Sequence, residues 1–315
     1  MFGTYKYRKN LERYIHGNLS LLSRIYRYPI PFSEPWRNKE LEIARNGGIG
    51  DVLLCTPALR EAKKRNPKLY IKFYTSLPEL IRGLPYIDEV LPFPQKFESN
   101  NSIIRMIYED STPLNTHIAR YFGNSIGLNI KNVKPDCMVN HDLINHYKLQ
   151  WGKEKTIVVL LRASQFTPNK NWPLEYWDEL IEKISKKYLI ILIGSGNIKE
   201  DQNILSAKFC IDLRNKTTLE EMIGIIASSN MYLGPVSGPY HIAASLNCHS
   251  MIINGGYEHS NNTFYSNSTW FSTDLPCSPC WLRTECPYLK KCLTSIFPKE
   301  IEKSISVIID KLYES

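Results

Sequence analysis

From about residue 41 onward, short apolar runs alternate with longer stretches of helical period. Residues 41–44, 69–74 and 87–93 are compact apolar runs, and each reads as a strand. Between the first two, a helix is expected over 51–65, stopping before Asn66-Pro67. Residues 95–150 are polar, rich in Asn and weakly periodic, with helices expected near 101–109 and 114–126. The alternation restarts at Thr156. Strands are predicted over 156–161, 189–194, 210–213, 231–233 and 250–254. Helices are predicted over 174–187, 198–208, 218–229 and 238–246. Repeated strand–helix units give parallel sheets covered on both faces. Two such runs predict an α/β protein of two Rossmann-like domains, residues 36–150 and 151–315, behind a helical segment at 1–35. Ligands would lie in the cleft at the carboxyl ends of the strands.

Length agrees with two domains, since 315 residues exceed the usual span of one core. A content of 43% hydrophobic and 22% charged residues excludes disordered and low-complexity classes. The longest apolar runs, 157–161 and 189–193, fall far short of the ~20 residues that cross a bilayer. The N-terminal stretch MFGTYKYRKNLERY has no apolar signal core, so a reducing cytoplasm is the expected compartment.

Charge changes the picture at one end. Of the net +8, residues 1–30 carry +5: Lys6, Arg8, Lys9, Arg13, Arg24 and Arg27 against Glu12. Leu11, Ile15, Leu22 and Ile25 can share one helical face. A basic amphipathic segment predicts peripheral contact with the anionic inner face of the cytoplasmic membrane. The other reading is a solvated helix packed on the main body. No other basic cluster is interleaved with aromatics, so nucleic acid is not an expected partner.

The candidate chemistry begins at Gly47-Gly48-Ile49-Gly50-Asp51, a loop between a predicted strand and helix. Glycines there permit a sharp turn and a close ligand, and the helix N-terminus behind them attracts anions. A phosphate-binding loop of the Gly-Lys-Ser/Thr type is excluded, because the loop ends Gly-Asp-Val. A dinucleotide fingerprint fits only in part, with Leu53 at the third glycine position. Asp51 reads either as a helix cap or as a general base at the cleft mouth.

The stretch GGIGDVLLCTPALR, Gly47 to Arg60, closely resembles the N-terminal signature of glycosyltransferase family 9, the ADP-heptose:lipopolysaccharide heptosyltransferases. Pro85-Tyr-Ile-Asp-Glu-Val90, Lys170-Asn171-Trp172-Pro173 and the run from Gly234 to Ala244 resemble later motifs of the same family. The resemblance implies a GT-B architecture, two Rossmann-like domains facing across a cleft. It implies Asp51 as the base that deprotonates the acceptor hydroxyl. Lys170, after a strand and before a helix, suits a clamp on the donor diphosphate, with Ser164, Gln165 and Arg162 in the same loop. Backbone N–H groups near Ser237 and Gly238, at a helix start, suit a phosphate, and His241 lies one turn further on. The family uses an acid near Gly194-Ser195-Gly196 for the ribose, a role assigned to Glu200. One position departs: where the family carries an acid two residues before Gly238, this chain has Val236.

Cys277, Cys280, Cys286 and Cys292 gather four of the eight cysteines into 16 residues, among Pro276, Pro279 and Pro287. Four close thiols in a reducing compartment fit a tetrahedral structural zinc, with iron as the competitor, while unmetallated thiols or a disulfide pair are the plainer readings. Cys55, Cys137, Cys210 and Cys248 are scattered and read as core thiols. The combined expectation is an inverting glycosyltransferase needing no cofactor for its chemistry. Its partners are a nucleotide-sugar donor, ADP-heptose by resemblance, and an anionic glycan or glycolipid acceptor of the lipopolysaccharide core. A protein-directed heptosyltransferase with a metal finger and a non-catalytic binding homologue are the alternatives.

Overall fold

A computed structural model of the chain describes residues 34–97, 102–109, 116–163, 167–196 and 204–314. The basic segment at 1–30 lies outside the described residues. Strands β1 (Glu40–Ala44), β2 (Tyr70–Thr75), β3 (Glu89–Pro92) and β4 (Ile104–Arg105) form one sheet in the order β3-β2-β1-β4. All its ladders are parallel. Strands β5 (Thr156–Leu160), β6 (Leu189–Ile193), β7 (Ile211–Asp212), β8 (Met231–Gly234), β9 (His249–Gly255) and β10 (Ser268–Ser272) form the second. Their order is β10-β9-β8-β5-β6-β7, again parallel throughout. The two-sheet α/β reading of the sequence is therefore what the chain adopts.

Local chemistry explains where elements depart from the expected pattern. The helix foreseen over 51–65 is two helices, α1 (Ile49–Leu53) and α2 (Thr56–Arg65). Pro57 has no N–H to give the Leu53 carbonyl, and the Thr56 hydroxyl takes that carbonyl instead at 2.7 Å. The helix expected near 101–109 is not formed among its described residues. Ile104–Arg105 pair with β1, and the Met106 N–H extends the ladder to the Ala44 carbonyl. Of the helix expected over 198–208, residues 198–203 lie outside the described residues, and Leu205–Phe209 is a 3-10 helix.

Helix α3 (Ile118–Ser125) follows, and α4 (His141–Trp151) was not foreseen. Asn140 caps α4 by accepting from the Asp142 and Leu143 N–H groups, and Gly152 ends it. Helices α5 (Leu174–Ile184), α6 (Leu219–Ala227) and α7 (Gly238–Ser245) lie between strands of the second sheet, and α8 (Lys291–Thr294) and α9 (Pro298–Glu314) follow it. Ile301, Ile305 and Ile309, four apart on α9, are fully buried against the outer face of the second sheet.

The other face of that sheet shares a core with the first. One hydrophobic cluster runs from Ile43 and Phe73 through Leu53 to Ile242, Tyr240 and Tyr232. Its crossing point is α1 against α7. A Cβ on Gly238 would stand 2.7 Å from Ile49 Cβ, so the two helices meet backbone to side chain. Polar bonds flank this contact: Asn262 Nδ2 donates to the Thr116 carbonyl at 2.9 Å, and Asn140 Nδ2 to Glu220 Oε1 at 3.0 Å.

Candidate active site

Asp51 sits in the first turn of α1, where β1 delivers the chain to the glycine loop. Gly47 has φ +128°, and a Cβ there would lie 2.5 Å from Asp51 Oδ2, so only glycine fits this turn. The Gly48 N–H donates to Asp51 Oδ2 at 2.7 Å, which is a cap. The other oxygen has different partners. Arg45, the residue after β1, places Nη2 2.7 Å from Asp51 Oδ1 and 2.7 Å from Glu109 Oε1. The Tyr108 hydroxyl donates to Asp51 Oδ1 at 3.2 Å. Arg45 is buried and also donates from Nη1 to the Met106 carbonyl at 2.8 Å. Burial pulls its guanidinium down, but pairing with Glu109 and Asp51 outweighs that and holds it above its ordinary value.

In the other half of the chain, Lys170 ends a short 3-10 helix at Pro168–Lys170. Its Nζ is 2.6 Å from Glu258 Oε1 and 4.7 Å from the centre of the Tyr257 ring. The Glu258 side chain is 3% exposed, so this is a nearly dry ion pair. Burial, then the carboxylates of Asp51 and Glu258, push the Tyr108 phenol up. Glu258, Arg45, Tyr108 and Glu109 escaped the sequence reading. The one available signal was Gly255-Gly256-Tyr257-Glu258, a strand end followed by glycines and an acid, as at Gly47–Asp51.

His241 does not stand open in the cleft. It is 4% exposed, its Nδ1 lies 2.8 Å from the Tyr265 hydroxyl, and its ring fills the space beside Gly50. A Cβ on Gly50 would meet His241 Cδ2 at 2.5 Å. Burial pushes its pKa down to about 3, helped by His117 and Lys170, so the ring is neutral near pH 7. Ser237 caps α7 without a side-chain bond to it, and Ser237 and Gly238 are half-buried. Val236 is buried in the shared core. Ser164, Gln165 and Glu200 lie outside the described residues.

The four clustered cysteines are half-buried free thiols. Burial raises the thiol pKa values of Cys280 and Cys292, and the neighbouring thiols raise them further. Among the described residues, no three Cys, His, Asp or Glu side chains converge as a metal site requires. Cys292 opens toward Gly255, 3.3 Å from where a Cβ would stand, and Leu289 and Lys290 turn the chain through left-handed backbone just before it.

The sequence profile of glycosyltransferase family 9 (heptosyltransferase) matches residues 110–291. Among curated proteins, lipooligosaccharide heptosyltransferase 2 of Campylobacter jejuni strain 81116 is 26% identical over 165 residues, 48% of this chain and 51% of that protein. Lipopolysaccharide heptosyltransferase 2 of Escherichia coli K12 is 30% identical over 104 residues, 30% of each. The matched region thus spans about half the length of the first of these relatives, and less of the second. Among solved structures, E. coli ADP-heptose lipopolysaccharide heptosyltransferase II superposes with a TM-score of 0.66 at 16% identity, covering 88% of this chain and 100% of that one. The iron-containing dodecameric glycosyltransferase TibC of enterotoxigenic E. coli gives 0.66 at 17% identity, covering 87% and 77%. These likenesses show the GT-B fold.

Proposed function

Because the chain belongs to glycosyltransferase family 9, whose profile spans more than half of it, we propose that it is an inverting transferase. It moves a heptose from ADP-heptose to a hydroxyl of an inner-core lipopolysaccharide acceptor. The observation that carries this reading is the Asp51 carboxylate held by Arg45, Tyr108 and Gly48 at the start of α1, the helix that packs on α7 of the other sheet. A carboxylate has about four lone-pair positions. Gly48 occupies one on Oδ2, and Arg45 and Tyr108 occupy two on Oδ1. The remaining position, on Oδ2, takes the acceptor proton. As the acceptor oxygen bonds to the anomeric carbon, the bond from that carbon to the diphosphate oxygen breaks. The electron pair leaves with ADP.

Lys170 and the N-terminus of α7 receive the developing negative charge. Basic side chains and a helix dipole do this work without a divalent cation. Glu258 holds the Lys170 ammonium in place, and its carboxylate supplies the acid that Val236 does not. The basic stretch at 1–30 suits an anionic glycolipid acceptor at a membrane surface. Among the described residues, no helix is long and apolar enough to cross a membrane.

The test is direct. Purified protein is incubated with ADP-heptose and a heptose-deficient inner-core acceptor, and ADP release is followed together with the acceptor mass. A gain of one heptose with inverted anomeric configuration is expected. Turnover with no ADP-sugar, or retention of configuration, would overturn the proposal.

A further inference from the structure

A cavity lies on the flank of the contact between the two halves, lined by none of the residues assigned to the transfer site. Its volume is about 560 Å³, within the range that holds small organic ligands. One wall comes from α3 and the loop after it, the other from the turn after α7 and the loop before β10. Tyr265 and His117, with ring centres 5.3 Å apart, form its inner end. Tyr265 in turn touches His241, which packs on Gly50. A layer of buried rings therefore separates this cavity from the Asp51 loop.

The lining is chemically one-sided. Arg120, Lys131 and Lys134 contribute three cationic side chains, and no carboxylate is among the described residues that line it. Arg120 and Lys131 are exposed and enter no ion pair among the described residues. The neighbouring acid, Asp136, is already held by Arg60 and by the Tyr86 hydroxyl. Three positive charges in a concave site attract an anion with fixed, forked donors from arginine. Opposite them stand the side-chain amides of Asn247, Asn261 and Asn267. Asn267 Nδ2 donates to the Cys248 carbonyl at 3.1 Å, and Asn247 Oδ1 accepts from Lys134. That leaves Asn267 Oδ1 to accept and Asn247 Nδ2 to donate, with Asn261 able to do both. Phe264, 44% exposed, presents an aromatic face to the same space. Amides that pair with neighbouring hydroxyls, an aromatic plate for a sugar ring, and cations for an acidic substituent describe one ligand class.

We propose that this flank pocket binds an anionic saccharide, a sugar bearing a phosphate group. The site is separate from the transfer cleft and does not depend on the transferase reading. Because its two walls belong to different sheets, the ligand bridges them, as Lys134 Nζ already does by donating to Asn247 Oδ1 at 2.6 Å.

Glucose 6-phosphate, inorganic phosphate and glucose, titrated separately by calorimetry, test this. Glucose 6-phosphate should bind at least about tenfold tighter than either of the other two, a difference of ~1.4 kcal/mol. Arg120→Glu with Lys131→Glu should weaken it by about tenfold or more, with ADP affinity unchanged. Lys131→Gln alone, an exposed and mild change, should weaken it by about two- to threefold, and serves where the double variant misfolds. Saturating ADP should not displace the sugar phosphate. Equal affinity for inorganic phosphate would reduce the site to an anion patch and overturn the proposal. So would competition by ADP, an unaltered affinity in the variants, or no saturable binding at all.

Discussion

The ring of His241 occupies the place that a side chain on Gly50 would need, with only 2.5 Å between an added Cβ and Cδ2 of the imidazole. Gly50→Ala should therefore part α1 from α7, at a cost of about 1–3 kcal/mol for an overpacked contact. His241→Ala removes the clashing ring, so the double variant should be less destabilised than the sum of the two singles. Urea unfolding of the four proteins measures this coupling. Strict additivity would mean that the two residues do not meet.

Asp51→Asn keeps an acceptor for the Gly48 N–H and so preserves most of the cap. It removes the base. Turnover should fall by ~10²–10⁴-fold while ADP affinity stays within about twofold. A variant retaining about a third of wild-type turnover would leave Asp51 as a cap alone.

Lys170→Ala leaves the Glu258 carboxylate, 3% exposed, without its counter-ion. Removing one partner of a buried pair costs about 3–5 kcal/mol, and the partial exposure of Lys170 places the loss at or below the lower end. ADP affinity and turnover should fall together. Glu258→Gln should keep ADP affinity closer to wild type than Lys170→Ala does. Calorimetry with ADP separates the two, and equal effects would count against a clamp held by Glu258.

Two buried imidazoles set a pH dependence. Burial pushes both His117 and His241 down to about 3. The unfolded chain binds those protons near pH 6.5, and the folded chain does not until near pH 3. Stability is thus complete above about pH 6.5 and lost as pH falls, by up to about 1.4 kcal/mol per unit for each ring. His117→Asn should flatten the decline of melting temperature between pH 6.5 and 4.5. An unchanged slope would show that other groups govern it.

Much of this was readable in advance because it is local. The glycine turn at Gly47 is fixed by short-range chain geometry, and Asp51 and Lys170 lie in short motifs that resemble those of the family. Strands β5, β6, β8 and β9 of the second sheet are buried on both faces, so they appear as continuous apolar runs such as 157–161. What escaped was long-range. Arg45 gains its role only by meeting Glu109, 64 positions away, and Lys170 by meeting Glu258, 88 positions away. β4 is two residues long and exists because β1 offers an edge. His241 read as a cleft residue because its neighbours suggest a phosphate site, whereas its burial depends on a helix from the other sheet.

The core that runs unbroken from Phe73 to Tyr232 has a consequence for how the molecule comes apart. Neither sheet with its helices closes a hydrophobic surface by itself. A fragment ending near residue 150 would leave Val52 and Leu53 without the α7 side of their packing, and the complementary fragment would bare Tyr240 and Ile242. Calorimetry should then show one melting transition with matching calorimetric and van't Hoff enthalpies, even though the chain carries two separate sheets. Any opening between the halves must accordingly roll around α1 and α7 and keep them in touch, because separating them would begin to unfold both.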